Sequence, residues 1–153
     1  MEYNLENILP HNHPMILIDK LEEVNMEEGY VCASTTITPD KIFFDNTLDG
    51  IDSYVGIEFM AQTLACFSYF KFNQKSPKIG FLLGTRSYKC SLEKFETGKT
   101  YLIKAKELYS DSELVSFECF IYNDGEVVAN ATVNAYQPDN AEEFLKTGFK
   151  GNE

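Results

Sequence analysis

The alternation of apolar and polar positions predicts strands in six stretches of the chain. These stretches cover residues 14–24, 29–38, 80–92, 100–110, 113–123 and 126–136. Period-two alternation bounded by turn residues is typical of a half-buried strand. Between the last two stretches, the sequence Asn123-Asp124-Gly125 predicts a tight hairpin turn. The chain therefore has two strands, an intervening segment of different pattern, and then four strands.

The intervening segment predicts one long helix. Asp52 or Ser53 suits its N-cap, and the helix continues to about Asn73. Its apolar residues fall on all sides, as in a helix surrounded by protein. A membrane span is excluded because the uncharged run at 59–70 is too short and Glu58 would lie inside the span. We expect an α+β fold in which an antiparallel sheet curves around the helix and a second copy completes the cover, giving a homodimer.

Length and composition indicate one soluble domain. The 153 residues, 44% of them hydrophobic, are enough for one real core. We place the domain at residues 1–138 and a short C-terminal helix or tail at 139–153. The N-terminus lacks the pattern of a signal peptide, and the four cysteines are too widely spaced for a zinc or redox motif. We therefore expect reduced thiols, a cytoplasmic location and no metal or cofactor.

Charge is unevenly distributed along the chain. The formal net charge of -11 argues against binding to nucleic acid or to an anionic membrane. Residues 71–99 nevertheless carry seven Lys and Arg against two Glu. This stretch is either a solvated lysine face or a docking surface for an anionic partner.

Glu58 is the candidate for acid–base chemistry. It is the only charged residue between Asp52 and Lys71. Burying an unpaired carboxylate costs free energy, so a carboxylate on an apolar helix suggests a function. On a helix Glu58 and Gln62 share a face one turn apart, near the helix start. Glu58 is expected to act as a general acid or base, and the alternative is an ion pair with Arg86, the single arginine.

The two histidines are the second candidates. His11 and His13 are the only histidines, and they lie between Pro10 and Pro14, which favour an extended backbone. Histidine is the side chain best suited to proton transfer at neutral pH. The pair is weak as a metal site because no third ligand is near in sequence. The alternative is a surface loop whose histidines have no function.

Two of these segments together resemble the hot-dog-fold 3-hydroxyacyl-[acyl-carrier-protein] dehydratases. "LPHNHPMILIDKLEEV" is similar to the family's "LPH-x-x-P-x-LLVD" segment, and "GIEFMAQTLACF" is similar to its helix motif "E-x-MAQ". "YKCSLEKFETGKTYLI" falls where the family has a strand pair. The resemblance extends from Leu9 to Tyr136. With "GFLLGTRSY", it is closest to a divergent branch of predicted dehydratases associated with aryl-polyene-type lipid synthesis.

The resemblance implies a fold, a reaction and a partner. The fold is a curved antiparallel sheet around a central helix, dimerised so that active sites form between subunits. The reaction removes water from a 3-hydroxyacyl thioester, held by an acyl carrier protein, and gives the trans-2-enoyl thioester. A histidine takes the α-proton, Glu58 occupies the acidic position, and backbone N–H groups at the helix start polarise the thioester carbonyl. The substrate-binding residues are then Tyr54, Gly56, Gln62 and Arg86.

The chain departs from the family at the catalytic histidine. The family has "GHFPG" in the loop before the helix, whereas "FFDNTLDGIDSYVG" here contains no histidine. His11 is our first choice to replace it and His13 the reserve. Two other functions stay open: a hot-dog acyl thioesterase in which Glu58 activates water, and a non-catalytic subunit that partners an active dehydratase.

Overall fold

The computed structural model describes residues 3–9, 14–71, 82–111 and 114–136. The proposed boundary at residue 138 and the tail at 139–153 lie outside these ranges. Within them the chain forms two α-helices, a 3₁₀ turn and nine strands. In chain order these are α1 Leu5–Ile8, β1 Lys20–Asn25, β2 Tyr30–Thr36, β3 Phe44–Asp45, β4 Gly50–Asp52, the 3₁₀ turn Ser53–Val55, α2 Gly56–Lys71, β5 Leu82–Cys90, β6 Lys94–Glu96, β7 Thr100–Asp111, β8 Leu114–Asn123 and β9 Glu126–Tyr136.

The six predicted strand segments form one antiparallel sheet. Its strand order is β1-β2-β7-β8-β9-β5, so β1 and β5 lie at its edges. The predicted turn between β8 and β9 is confirmed: Asp124 and Gly125 have φ values of 51° and 83°. Two successive positive φ angles are the mark of a type I′ hairpin turn, which matches the twist of the strands.

A second, small sheet was not predicted. Its strand order is β3-β4-β6, and it is built partly from residues 39–52, which lie outside the six predicted strands and the predicted helix. Strands of two and three residues are too short to show alternation. Gly50 is required in this sheet because a Cβ there would lie 2.3 Å from the carbonyl oxygen of Phe95. The small sheet leads directly through the 3₁₀ turn into α2.

The hydrophobic core lies between the six-stranded sheet and α2. Alternate residues of β8 are buried on the helix side: Val115, Phe117, Cys119 and Ile121. From the helix, Phe67 packs edge-on against Phe117, with 5.1 Å between the ring centroids. One antiparallel sheet packed on one central helix is the hot-dog fold, so the predicted fold class is confirmed.

Among the described residues, one side of α2 is less buried than the rest, and the predicted cover of this side by a second copy stays a prediction. The less buried positions recur every four residues, at Ile57, Ala61, Ala65 and Tyr69, and Glu58 beside them is exposed. Fourfold spacing marks one side of a helix. Among the described helices none is long and apolar enough to cross a membrane.

Candidate functional site

The site is built around the first turn of α2. The Asp52 side chain accepts a hydrogen bond from the Tyr54 backbone N–H at 2.9 Å and so caps the 3₁₀ turn before α2, and not the long helix for which the cap was predicted, because that helix begins at Gly56. Glu58 follows in the first helical turn, where the helix dipole favours a negative charge. The prediction that Glu58 is buried is wrong for the single chain, because its side chain is exposed.

The Glu58 carboxylate also has no bonded partner among the described residues. It forms no ion pair or hydrogen bond with any residue in the described part of the chain. The alternative of a bridge to Arg86 stays a prediction: the Arg86 backbone pairs with Thr132 in the sheet, but its side chain lies outside the described part. A carboxylate that is free of partners is available to a substrate.

Gln62, one turn further along the helix, is buried and forms hydrogen bonds to the backbone of residues 15–18. Its side chain is 1% exposed. Its Oε1 accepts hydrogen bonds from the backbone N–H groups of Leu17 at 2.8 Å and Ile18 at 3.4 Å. Its Nε2 donates to the Met15 carbonyl at 2.7 Å. These bonds satisfy backbone groups of the 15–18 segment, so Gln62 anchors this segment to the helix, while its predicted contact with substrate stays a prediction.

This anchoring explains why β1 begins later than predicted. The alternation pattern places a strand over 14–24, but residues 16–19 are not part of a strand, and β1 starts at Lys20. Two amides in this stretch bond to Gln62 instead of to a strand. On the other side, Thr35 donates its hydroxyl to the Leu17 carbonyl at 2.8 Å. The Gln62 side chain therefore takes the place of a neighbouring strand as the hydrogen-bond acceptor for Leu17 and Ile18.

A second anchor follows at Asp19. Its carboxylate accepts a hydrogen bond from the Thr36 backbone N–H at 2.6 Å and pairs with Lys41 at 2.5 Å. The Lys41 side chain is only 10% exposed. The segment that follows the two histidines is thus fixed at both Gln62 and Asp19. His11 and His13 themselves lie outside the described residues.

Tyr54 and Gly56 have different surroundings. Tyr54 is 76% exposed on the turn before the helix, where a ligand can reach it. Gly56 is buried, and its backbone N–H donates to the carbonyls of Ser53 and Tyr54. The Gly56 amide is therefore already engaged, which argues against its predicted role as a free donor to a thioester carbonyl.

Tyr88, which no sequence pattern singled out, reaches the same turn from β5. Its hydroxyl donates to the Ser53 carbonyl at 2.6 Å. A tyrosine in a strand gives no signal by itself. The glycine at the helix start, two residues before Glu58, was the available clue, because glycine often marks a close approach by another group.

Most lysines of the basic stretch are engaged where the structure describes them. Lys71 pairs with Glu107 at 3.2 Å, and Lys99 pairs with Glu96 at 3.0 Å. Lys94 donates to the Leu48 carbonyl. Lys89 is exposed. Among the described lysines of residues 71–99, Lys89 and Lys99 are both exposed, and Lys89 differs in having no ion pair to a described residue.

Comparison with protein families gives one match over nearly the whole chain. The sequence profile of the ApeP-like family, described as ApeP dehydratase, matches residues 3–146. The chain is 28% identical over 132 residues to the 3-hydroxyacyl-[acyl-carrier-protein] dehydratase FabZ of Acetivibrio thermocellus, covering 84% of this chain and 88% of that one. It is 27% identical over 139 residues to FabZ of Ralstonia nicotianae, covering 86% and 84%.

Solved structures with similar folds include dehydratases and thioesterases. The dehydratase heterocomplex ApeI:P from Xenorhabdus doucetiae matches with a TM-score of 0.82 and 26% identity, over 95% of this chain and 97% of that one. The E. coli PaaI protein from the phenylacetic acid degradation operon matches with a TM-score of 0.58 and 11% identity, over 76% and 81%. The PaaI likeness concerns the fold alone.

Proposed function

Because this chain belongs to the ApeP-like dehydratase family, we propose that it removes water from a 3-hydroxyacyl thioester carried by an acyl carrier protein. The product is the trans-2-enoyl thioester. The observation that carries this proposal is the Glu58 carboxylate, exposed and unpaired in the described part of the chain, at the position that matches the family's acidic residue. The thioesterase alternative is not favoured, since the solved structures named as thioesterases are 11–15% identical to this chain and share its fold alone.

The reaction needs one base and one acid. A base removes the proton from C2, the electron pair of that bond forms the C2–C3 double bond, and the C3–O bond breaks. Glu58, as the acid, donates a proton to the departing hydroxyl, which leaves as water. General acid–base catalysis of this kind contributes about 10²- to 10⁴-fold to a rate. The Glu58 side chain is exposed beside the less buried strip of α2, so a substrate can reach its carboxyl group.

The base is assigned to His11, with His13 as the reserve. Support comes from the anchored segment that follows them. Met15 is bonded to Gln62, one turn from Glu58. A chain spans at most about 3.6 Å per residue, so the backbone of His13 stays within about 7 Å of Met15. This connectivity supports the proposal, since His13 is two residues and His11 four residues before the anchored Met15.

The proposed active form is a homodimer. Its support is the open strip of α2 at Ile57, Ala61, Ala65 and Tyr69, which a second copy would cover, and the position of β5 at the sheet edge. An edge strand has unpaired backbone groups that another strand can pair. Sedimentation equilibrium at micromolar concentration tests this: twice the monomer mass is expected, and a monomer that turns over substrate would exclude it.

The function is tested by following both possible products of one substrate. The pure protein is incubated with a 3-hydroxyacyl thioester on an acyl carrier protein, and the acyl group is analysed by mass spectrometry while free thiol is assayed in parallel. The expected result is loss of one water with the thioester intact. Release of free thiol would indicate a thioesterase. Water loss only after addition of a second, histidine-bearing dehydratase would indicate a non-catalytic subunit.

A further inference from the structure

Tyr88 connects the edge strand β5 to the start of α2. Its hydroxyl donates to the Ser53 carbonyl at 2.6 Å. The same carbonyl accepts the backbone N–H of Gly56, the first residue of the helix. A carbonyl oxygen has two lone pairs and can accept both bonds. Tyr88 therefore shares an acceptor with the first amide of the helix that carries Glu58.

Gly56 leaves the space that this contact needs. Its φ of −55° is ordinary for a helix, so the backbone does not require glycine. A Cβ at this position would lie 2.1 Å from the Tyr88 hydroxyl oxygen. It would also lie 3.0 Å from the Phe95 ring and 3.1 Å from Ile121. The absence of a side chain at Gly56 is thus explained chiefly by the approach of the tyrosine.

The backbone of β5 is shaped around Tyr88. The pairing with β9 shifts between Arg86 and Lys89, where one extra residue is accommodated. Within this bulge Ser87 has a φ of 55°, an uncommon value for a residue other than glycine. Bulges change the direction of a side chain next to a site. The bulge is an observation independent of the hydroxyl contact, and it lies beside Tyr88.

The hydroxyl is held in its donor form. Burial raises the pKa of Tyr88 well above its usual range, and Cys90 and Asp52 add to the effect. The phenol therefore keeps its proton and goes on donating to the Ser53 carbonyl at any pH near neutrality. Its contribution is one of geometry, because the proton is not available for transfer.

We infer that Tyr88 is a positioning residue, which fixes the 3₁₀ turn and the first turn of α2 and thereby the placement of Glu58. The kinetic part of this inference rests on the proposed dehydration. Glu58 is two residues beyond Gly56, so a shift of the helix start moves its carboxyl group directly. Small displacements of a catalytic group are known to cost large factors in rate.

The test removes only the hydroxyl. Tyr88→Phe is expected to lower kcat about tenfold with KM within about twofold, and to speed amide hydrogen exchange at residues 56–59 about fivefold. Tyr101→Phe is the matched control: Tyr101 is also buried, and its hydroxyl oxygen accepts a backbone bond from Glu96 at 3.0 Å. The control is expected to keep kcat and the exchange rates at 56–59. Unchanged exchange at 56–59 in Tyr88→Phe would overturn the inference.

A second arm tests the contact with Gly56. Gly56→Ala places a methyl group against the tyrosine oxygen, so it is expected to be much less harmful to both exchange protection and kcat in the Tyr88→Phe background than in the wild type. Equal effects in the two backgrounds would overturn the inference. Hydrogen exchange requires no substrate, so a wild-type protein that fails to remove water would refute the proposed function while this arm still decides the role of Tyr88.

Discussion

Glu58 and Gln62 lie one turn apart on α2, yet their surroundings are opposite. Gln62 is 1% exposed, and its side chain bonds the backbone of residues 15–18. Glu58 is exposed and has no bonded partner within the described residues. Residues 15–18 cover one of the two and leave the other open.

The difference separates two kinds of polar residue that the sequence groups together. A buried amide whose donor and acceptor are both used stabilises the fold and has little left for a ligand. An unpaired carboxylate on an open helix side adds little to stability and remains free to exchange a proton. Gln62 is accordingly a structural residue and Glu58 the candidate for chemistry.

The largest effect is expected from Glu58→Gln. Turnover should fall about 10²- to 10⁴-fold, because the amide cannot supply the proton. The melting temperature should stay close to that of the wild type, since the carboxylate is bonded to nothing in the described chain. Initial rates and a thermal melt on the same preparation check both halves. Full turnover by this variant would remove Glu58 from the mechanism.

Gln62→Leu should lower the stability of the fold, which Glu58→Gln leaves nearly unchanged. The change leaves two backbone N–H groups and one carbonyl buried without a partner, at a cost of about 2–4 kcal/mol in the free energy of unfolding. Urea denaturation measures the loss, with Glu58→Gln as a control one turn away on the same helix. If Gln62→Leu were as stable as the wild type, the assignment of Gln62 as an anchor would fail.

The other anchor of the same segment should contribute less. Lys41→Met removes the partner of Asp19, which is itself 44% exposed and keeps its bond to the Thr36 N–H. Because solvent screens part of this interaction, we expect a loss of about 1.5 kcal/mol. Lys20→Met is the control, since Lys20 is 58% exposed and 3.8 Å from Glu22. Equal losses in the two variants would contradict the account of this anchor.

The smallest effect concerns the buried side of α2. Burial raises the pKa of the Cys66 thiol to about 12, against about 8.5 in an unfolded chain. The folded protein therefore keeps the Cys66 thiol proton to a higher pH than the unfolded chain does. The stability that results from this difference is complete below about pH 8.5 and is lost as the pH rises toward 12. Between pH 8 and 9 the wild type should lose about 0.7 kcal/mol more than Cys66→Ala. If the stability of the wild type and of Cys66→Ala changed equally with pH, the Cys66 thiol would be exposed to solvent and not buried.

The strands of the main sheet were predictable because each is long enough to show its alternation. The pattern of β8 and the Asp124-Gly125 turn are local signals that the structure matches. The small sheet was not predictable, since its strands have two or three residues. Its pairing depends on Gly50 meeting Phe95, a contact between residues far apart in sequence.

The candidate site was predictable in its residue types but not in its environments. The sequence identifies Glu58 as an unusual charge on an apolar helix, and it treats Gln62 as its equal because spacing alone places them together. Their difference depends on where residues 15–18 cross the helix, which is a tertiary contact. Tyr88 depends likewise on a bulge in β5 that only the register with β9 reveals.

Chemical rescue of Glu58→Ala tests the central claim most directly. Because Glu58 is exposed, its replacement by Ala leaves room for a small carboxylic acid to enter from solvent. We expect negligible water loss from the 3-hydroxyacyl thioester by this variant, restored in proportion to added formate, with no response in Glu58→Gln or in the wild type. Turnover by Glu58→Ala that matches the wild type without formate would contradict the account.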